Sequence, residues 1–455
     1  MPTSSRRPNV LWIFGDQHRA QALGYAGDPN VYTPNLDTKA ETGVVFGGAV
    51  GGCPLCCPFR GSLLSGRYPH NAVPGHEYPL DPALPTVATA FNAHGYRTSY
   101  FGKWHVDGWH ERDGRGGTHT IPWERRGGFT DWVGYENNNA PWDCWVHGHM
   151  EEAEVEMYRL PGYETDELTN LLLEYLRDRG EALKNNPEAE PFFAVLSVQP
   201  PHDPYGAPAE FMEGHNAASV EFRANVPEID WVRQQAAREL AGYYAMIENL
   251  DWNVGRINDA LKEAGLDEDT HVLFFSDHGD MHGSHGQFRK TSPWEESLRV
   301  PCVLYGMGDT YYSGKRSHAD NAILFNHVDY APTSLGLCGL PIPEWMEGTD
   351  YAHHRVWGCE PSQPDPDSAF IQLVVPTGHA HSLDRAWRGV VTTDGWKYVC
   401  IEHQPLMLFN LNDDPYEQMN LAHNSAYRQK RRALQDRLAQ WITDTGDCFA
   451  LPKDI

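Results

Sequence analysis

The sequence has no apolar run approaching the length of a membrane-spanning helix, which excludes an ordinary helical span. It is also short of basic residues. Lys and Arg number 36 against 62 Asp and Glu, and the formal charge of −26 speaks against nucleic acid or an anionic membrane as partner. No internal repeat recurs, so a solenoid is set aside. The nine cysteines are odd in number and too sparse for a disulfide scaffold. At the N-terminus Arg6-Arg7 is followed by Pro8, and the apolar stretch Val10–Phe14 stops at Gly15-Asp16-Gln17. That stretch is too short for a signal peptide and reads as a buried strand, so cytoplasmic location is the expectation.

What is present describes an ordinary globular protein. Hydrophobic residues make up 40% of the chain, with 15 Trp and 21 Tyr, and 455 residues favour two or three domains. Short apolar runs alternate with helix-like stretches, which predicts an α/β protein with a mainly parallel sheet flanked by helices. Val10–Phe14, Thr98–Phe101, Phe192–Val198, Val272–Phe275 and Pro301–Tyr305 have strand length. Four of them run into polar segments: Gly15-Asp16-Gln17-His18, Gly102-Lys103-Trp104-His105, Gln199-Pro200-Pro201-His202 and Ser276-Asp277-His278-Gly279. Ligands bind at the carboxyl ends of strands in open α/β sheets, so these four segments are expected to converge.

From about Trp231 to Gly265, Ile247, Leu250, Val254, Ile257 and Leu261 form the apolar stripe of a long helix that Gly265 ends. Between about Gly108 and Tyr163 lies a Trp-, Gly- and His-rich region with little periodicity, read as binding loops or as disorder. Trp109, Trp123, Trp132, Trp142 and Trp145 suit stacking on a sugar ring, and core packing explains them equally well. Pro361–Pro366 reads as a linker. Beyond it, strands at Gly389–Thr393, Lys397–Ile401 and Leu406–Leu411 and a helix near Ala426–Thr443 predict a smaller C-terminal α+β domain. The boundary is placed between residues 365 and 366, giving domains 1–365 and 366–455.

Only one cysteine cluster asks for an explanation: Cys53, Cys56 and Cys57 lie within five residues. Pro58 suits the first turn of a helix, which places Cys56 at the N-terminus, where backbone amides favour an oxyanion, with Arg60 one turn on. A zinc site would begin with Cys53-x-x-Cys56, but no second pair follows. A redox dithiol would use the same two cysteines without explaining Arg60. Burial of all three thiols is the plain alternative.

The run Cys56-Cys57-Pro58-Phe59-Arg60, followed by Leu64-Ser65-Gly66-Arg67, resembles the signature of the formylglycine-dependent sulfatases of the alkaline-phosphatase-like superfamily. Segments along nearly the whole chain extend the resemblance. They include Pro8-Asn9-Val10 through Asp16-Gln17, Gly102-Lys103-Trp104-His105, Pro201-His202-Asp203-Pro204, Ser276-Asp277-His278-Gly279 and Arg289-Lys290. In the C-terminal part, Trp396-Lys397-Tyr398 and Leu408-Phe409-Asn410-Leu411 through Asn420-Leu421 also look like the family. After Gly66-Arg67-Tyr68-Pro69-His70, where many relatives carry Asn-Gly, this chain reads Gly75-His76-Glu77-Tyr78.

The resemblance implies an alkaline-phosphatase-like fold and a Cys56 oxidised to formylglycine by a separate formylglycine-generating enzyme. It implies one divalent metal held by Asp16, Gln17, residue 56, Asp277 and His278. Oxygen ligands suit Ca²⁺ first, with Mg²⁺ or Mn²⁺ also admitted. Lys103, His202, Lys290 and His76 are then the candidate substrate contacts. Cys56, Arg60, Lys103, His105, His202 and Lys290 are the candidate catalytic residues. A hydrated aldehyde at position 56 would attack sulfur, Lys103 and Lys290 would neutralise the nonbridging oxygens, and His202 or Lys290 would protonate the leaving oxygen. His105 would take the proton that allows sulfate to leave. His282 and His285 read as loop or supporting residues.

The expected reaction is hydrolysis of an anionic sulfate ester, of a sulfated sugar or an aryl sulfate. The Asp16-Gln17 pair, where many relatives have two Asp, and His278 are shared with relatives acting on phosphonate monoesters and phosphodiesters, which is the alternative. A non-catalytic binding protein is a further one. With a charge of −26, an anionic substrate requires a locally cationic pocket. No nucleic-acid or membrane partner is expected, and homo-oligomerisation is admitted.

Overall fold

The computed structural model describes residues 6–306, 323–356, 358–361, 363–377, 383 and 385–453. A nine-stranded sheet forms its centre. Its strands in chain order are β1 Asn9–Gly15, β2 Val44–Val45, β3 Arg97–Lys103, β4 Asp131–Tyr135, β5 Trp145–Met150, β6 Ala153–Arg159, β7 Phe192–Val198, β8 Thr270–Ser276 and β9 Cys302–Gly306. Across the sheet they run β2-β9-β8-β1-β7-β3-β4-β5-β6. The five strands from β8 to β4 are parallel, while β9 and β5 pair antiparallel with their inner neighbours. The fold is thus mixed α/β, with a parallel centre and antiparallel edges.

All seven residues of β1 are buried. Their alternation divides two cores: Leu11 and Ile13 join one, Val10, Trp12 and Phe14 the other. The first core takes the helices Glu164–Asn185 and Asp230–Ala264, the second the helix Cys56–Ser65. The long helix ends at Gly265, whose φ of 68° gives the left-handed cap that the sequence anticipates. β8, β1, β7 and β3 are neighbours and parallel, so the four polar segments at their carboxyl ends emerge side by side.

The region from Gly108 to Tyr163 differs from the expectation of binding loops or disorder. It supplies β4, β5 and β6 together with three 3-10 turns. Trp132 is fully buried core, Trp123 stacks on His149 and Trp109 on His119.

After it the smaller sheet runs β10 Ser368–Leu373, β11 Trp387–Thr392, β12 Trp396–Ile401 and β13 Gln404–Asn410, antiparallel throughout, with the helix Arg428–Thr445 packed on one face. Its other face shares a core with Cys53, Leu55 and Leu298 of the larger part. A division at 365/366 remains a proposal; it falls just ahead of β10.

One buried carboxyl carries a pH signature. Glu164 is fully buried at the start of its helix and accepts hydrogen bonds from the Tyr135 hydroxyl and the Gln199 amide. Burial outweighs these bonds and pushes its pKa up from 4.5 to about 7. Between these values the native state holds a proton that the unfolded chain has released, so this group's contribution to stability falls as pH rises. Relative to wild type, Glu164→Gln is expected to gain stability from pH 4.5 to 7 by about 3 kcal/mol, since one pKa unit is about 1.4 kcal/mol. Urea midpoints of both proteins across that range check it; parallel curves would contradict it.

Candidate active site

The sheet delivers Asp16 and Gln17 from the end of β1, Lys103 from β3, His202 from beyond β7, and Asp277 and His278 from beyond β8. Ser276 ties two of these ends together: its hydroxyl donates to Gly15 O and accepts the His18 amide, each at 2.9 Å. Cys56 is the first residue of the helix Cys56–Ser65, which begins with no side-chain cap and no acidic residue in its first turn. Its first-turn amides therefore lack the partners that a helix interior supplies, which favours negative charge beside residue 56.

Cys56 Sγ lies 3.1 Å from His278 Nε2, 3.3 Å from Lys290 Nζ and 3.4 Å from Asp16 Oδ1. Asp16 Oδ2 accepts from Lys103 Nζ at 2.6 Å and meets the Arg60 guanidinium at 3.5 Å. Arg60 also donates to Lys103 O and Ser197 Oγ, lies over the Phe14 ring and stands 3.9 Å from Asp277 Oδ2, which places it beside both carboxylates. Lys290 Nζ donates to Gln17 Oε1 at 2.9 Å and to His202 Nε2 at 2.7 Å. Thus Lys103, Lys290 and Arg60 place three cations inside an acidic protein.

Electrostatics separate the two acids. Burial raises the Asp16 pKa, but the Lys103 and Lys290 ammonium groups outweigh it and hold the carboxyl well below its usual range. Asp277 goes the other way: burial and the nearby Asp16 carboxylate push it up to about 7. Burial lowers His278, and with Lys290 it takes His202 down to about 3. Both imidazoles are therefore neutral near pH 7. His278 Nδ1 faces Gly279 O and His202 Nδ1 faces Asp203 O; carbonyls only accept, so each Nδ1 carries the proton and each Nε2 a lone pair.

Asp16, Cys56, Asp277 and His278 bring ligand atoms within 4.8 Å of one another, all buried. Asp277 Oδ1 accepts the Gln17 and His278 amides, while Oδ2 has no hydrogen-bond partner. The Arg60 guanidinium stands 3.9 Å from Oδ2, beyond hydrogen-bond length, and an oxygen buried so is costly unless a closer cation takes it. Two carboxylates, an imidazole and the Gln17 carboxamide make a donor set that fits a divalent metal.

His105 lies just beyond the strand. Lys103 ends β3, and His105 has a φ of 57°, which takes its ring beside His76 with ring centroids 5.6 Å apart. His76 is half-buried there, 3.6 Å from Cys57 Sγ. His282 packs on Tyr243 and His285 on Trp294, both away from Cys56. Gln17, His105, Arg289 and Thr291 have positive φ without being glycine, so the site carries some of the chain's backbone strain.

Asp280 has a function that the sequence reading omits. It accepts Gln17 Nε2 at 2.7 Å and the Tyr205 hydroxyl at 2.5 Å, and so fixes which way the carboxamide points. Its signal is its place three residues after Asp277 in the same turn.

Buried carboxylates, cations and a neutral imidazole around one residue at a helix start define a hydrolase for an anionic ester. Residues 8–340 match the family described as Sulfatase, and residues 283–444 match N-sulphoglucosamine sulphohydrolase, C-terminal. An Ulvan-active sulfatase of Formosa agariphila is 33% identical over 97% of this chain and 82% of its own length. Among solved structures, yidJ from Bacteroides fragilis has a TM-score of 0.83 at 24% identity, covering 98% of each chain. A phosphonate monoester hydrolase of Agrobacterium radiobacter has a TM-score of 0.74 at 24% identity, covering 96% of each. The chain belongs to the sulfatase family and is a sulfuric ester hydrolase with the alkaline-phosphatase-like fold. Among the described residues no helix is long and apolar enough to cross a membrane.

Proposed function

We propose that this protein hydrolyses the sulfate ester of a sulfated sugar, with residue 56 as formylglycine and Ca²⁺ as the metal. The observation that carries the reading is the convergence of His278, Lys290 and Asp16 within 3.4 Å of Cys56 Sγ. The likeness to an Ulvan-active sulfatase supports the choice of a sugar. Asp16, Gln17, Asp277 and His278 would hold the metal together with residue 56. The metal would supply positive charge for the anionic ester, and formylglycine would supply the nucleophilic oxygen. Maturation then requires a formylglycine-generating enzyme as partner.

The chain's own residues do the rest. Lys103 and Lys290 offer ammonium groups to the nonbridging oxygens as charge shifts toward the leaving group, the electrostatic contribution that usually dominates. Lys290 already donates to His202 Nε2. Lys290 can therefore protonate the departing oxygen directly, with His202 Nε2 holding its ammonium in place; His202 serves as the acid only where Nε2 itself carries the proton. His105, kept neutral by burial and by Lys103 and His76, is suited to accept a proton when sulfate leaves.

A phosphonate monoester is the second reading, supported by Gln17 and His278 in the donor set. Both esters are tetrahedral monoanions, so charge alone does not separate them. Initial rates on an aryl sulfate and an aryl phosphonate monoester with the same leaving group distinguish the two. The sulfate is expected to react at least about tenfold faster in kcat/KM, or about 1.4 kcal/mol. A faster phosphonate would overturn the assignment.

A further inference from the structure

Beside the catalytic residues lies a second set of ligand-type side chains that the proposed reaction leaves unused as a set. Cys57 follows Cys56 in the same helix, and the helical turn sends its side chain to a different side. Cys57 Sγ, His76 and His105 bring ligand atoms within 4.8 Å of one another. Sγ accepts the Glu77 amide at 3.4 Å and sits 3.6 Å from His76 Nδ1. His105 is buried, and its Nδ1 has no hydrogen-bond partner. Glu77 stands near the set: its Oε1 is 3.8 Å from His76 Nε2, beyond hydrogen-bond length, and its Oε2 meets His110 Nδ1 at 2.5 Å. A small turn of the His76 ring would give the carboxylate support that metal-binding histidines commonly have.

The spacing between the Cys57 and His76 ligand atoms has the right size. Zinc takes sulfur at about 2.3 Å and nitrogen at about 2.0–2.1 Å in tetrahedral geometry, which places the two ligand atoms about 3.6 Å apart. The Cys57–His76 spacing matches. A thiolate and two imidazoles are a soft, nitrogen-rich set, unlike the oxygen-rich set at Asp16 and Asp277, so the two sets prefer different ions.

We propose that Cys57, His76 and His105 form a second metal site, selective for Zn²⁺, and that zinc bound there inhibits the enzyme by occupying His105. On binding, the Cys57 thiol gives up its proton and both imidazoles bind through lone pairs, with the fourth position left to solvent. The inhibitory part rests on the proton-accepting role given to His105 above; the binding part does not.

Cobalt(II) in place of zinc tests the binding. Protein with Cys56→Ala, which lacks the thiol of the other ligand set, is saturated with Ca²⁺ and titrated with Co²⁺. One equivalent is expected to give a thiolate-to-cobalt charge-transfer band. The band should vanish in Cys56→Ala/Cys57→Ala. In Cys56→Ala/His76→Ala it should need more than the roughly 10–100-fold extra metal that loss of an outer hydrogen bond costs. No band, or a band that survives Cys57→Ala, overturns the site. In the formylglycine-bearing enzyme with Ca²⁺ present, added Zn²⁺ should stop turnover reversibly, and Cys57→Ala should keep turnover while losing zinc sensitivity. Turnover unaffected by zinc, with the cobalt band intact, overturns the inhibition. Absence of turnover without zinc counts against the hydrolase mechanism instead and leaves the cobalt result standing.

Discussion

Cys56→Ala is expected to abolish turnover while leaving the protein folded. Loss of a covalent nucleophile costs on the order of 10⁶ in kcat where it has been measured in a hydrolase triad. The substitution removes one atom from a buried position and leaves Asp16, Lys290 and His278 with their other partners. Cys56→Ser tests the chemistry more finely. A serine hydroxyl can attack, but it has no second hydroxyl with which to expel the inorganic anion, so a single turnover at most is expected. Steady-state rates with a melting curve for each variant check both. Residual multiple turnover above about one part in 10³ would mean that residue 56 only assists.

Asp16→Ala is expected to cause the largest loss of stability. Its Oδ2 pairs with Lys103 at 2.6 Å and with Arg60 at 3.5 Å, and all three side chains are essentially buried. Removing one partner of a buried charged group leaves uncompensated cations, at about 3–5 kcal/mol. If Asp16 served the metal alone, the loss would disappear in chelator. The pairing predicts that it persists there, and urea unfolding of both proteins in excess chelator measures the difference.

The parts of the fold that were legible in the sequence are those buried on both faces. β1, β7 and β8 are nearly continuous apolar runs because they are buried on both faces, and their polar ends stand out for the same reason; β3 is buried as well but shows only Tyr100-Phe101 as an apolar signal. β6 is an outer strand with Glu154, Glu156 and Arg159 exposed, and β5 carries two histidines and a glycine, so neither has a hydrophobic signature. The helix Glu164–Asn185 is absent from the elements anticipated, although Leu168, Leu172 and Leu176 step by four and are buried. The site residues came from motifs, and the geometry adds what a motif does not contain. The left-handed backbone at His105 decides which residues its ring meets, and Asp280 orients Gln17 through a hydrogen bond across 263 positions. The pairing of Cys57 with His76, nineteen residues on, is likewise a property of the folded loops.

The opposite shifts of Asp16 and Asp277 give the site its logic. One carboxylate is held ionised by surrounding cations, and the other sits near pH 7 with an oxygen lacking a hydrogen-bond partner. Such a pair is a charge arrangement that the proposed divalent ion would complete. Held by Asp277, that ion would require the carboxyl deprotonated, so its binding would release a proton.

The most direct test of the central claim is the mass of the peptide spanning residues 53–67, taken from protein produced together with a formylglycine-generating enzyme. The account predicts a peptide in which the side chain of residue 56 has become a formyl group, with Cys53 and Cys57 unchanged and captured as thiols. Recovery of unmodified Cys56 from protein that nevertheless hydrolyses sulfate esters would contradict it.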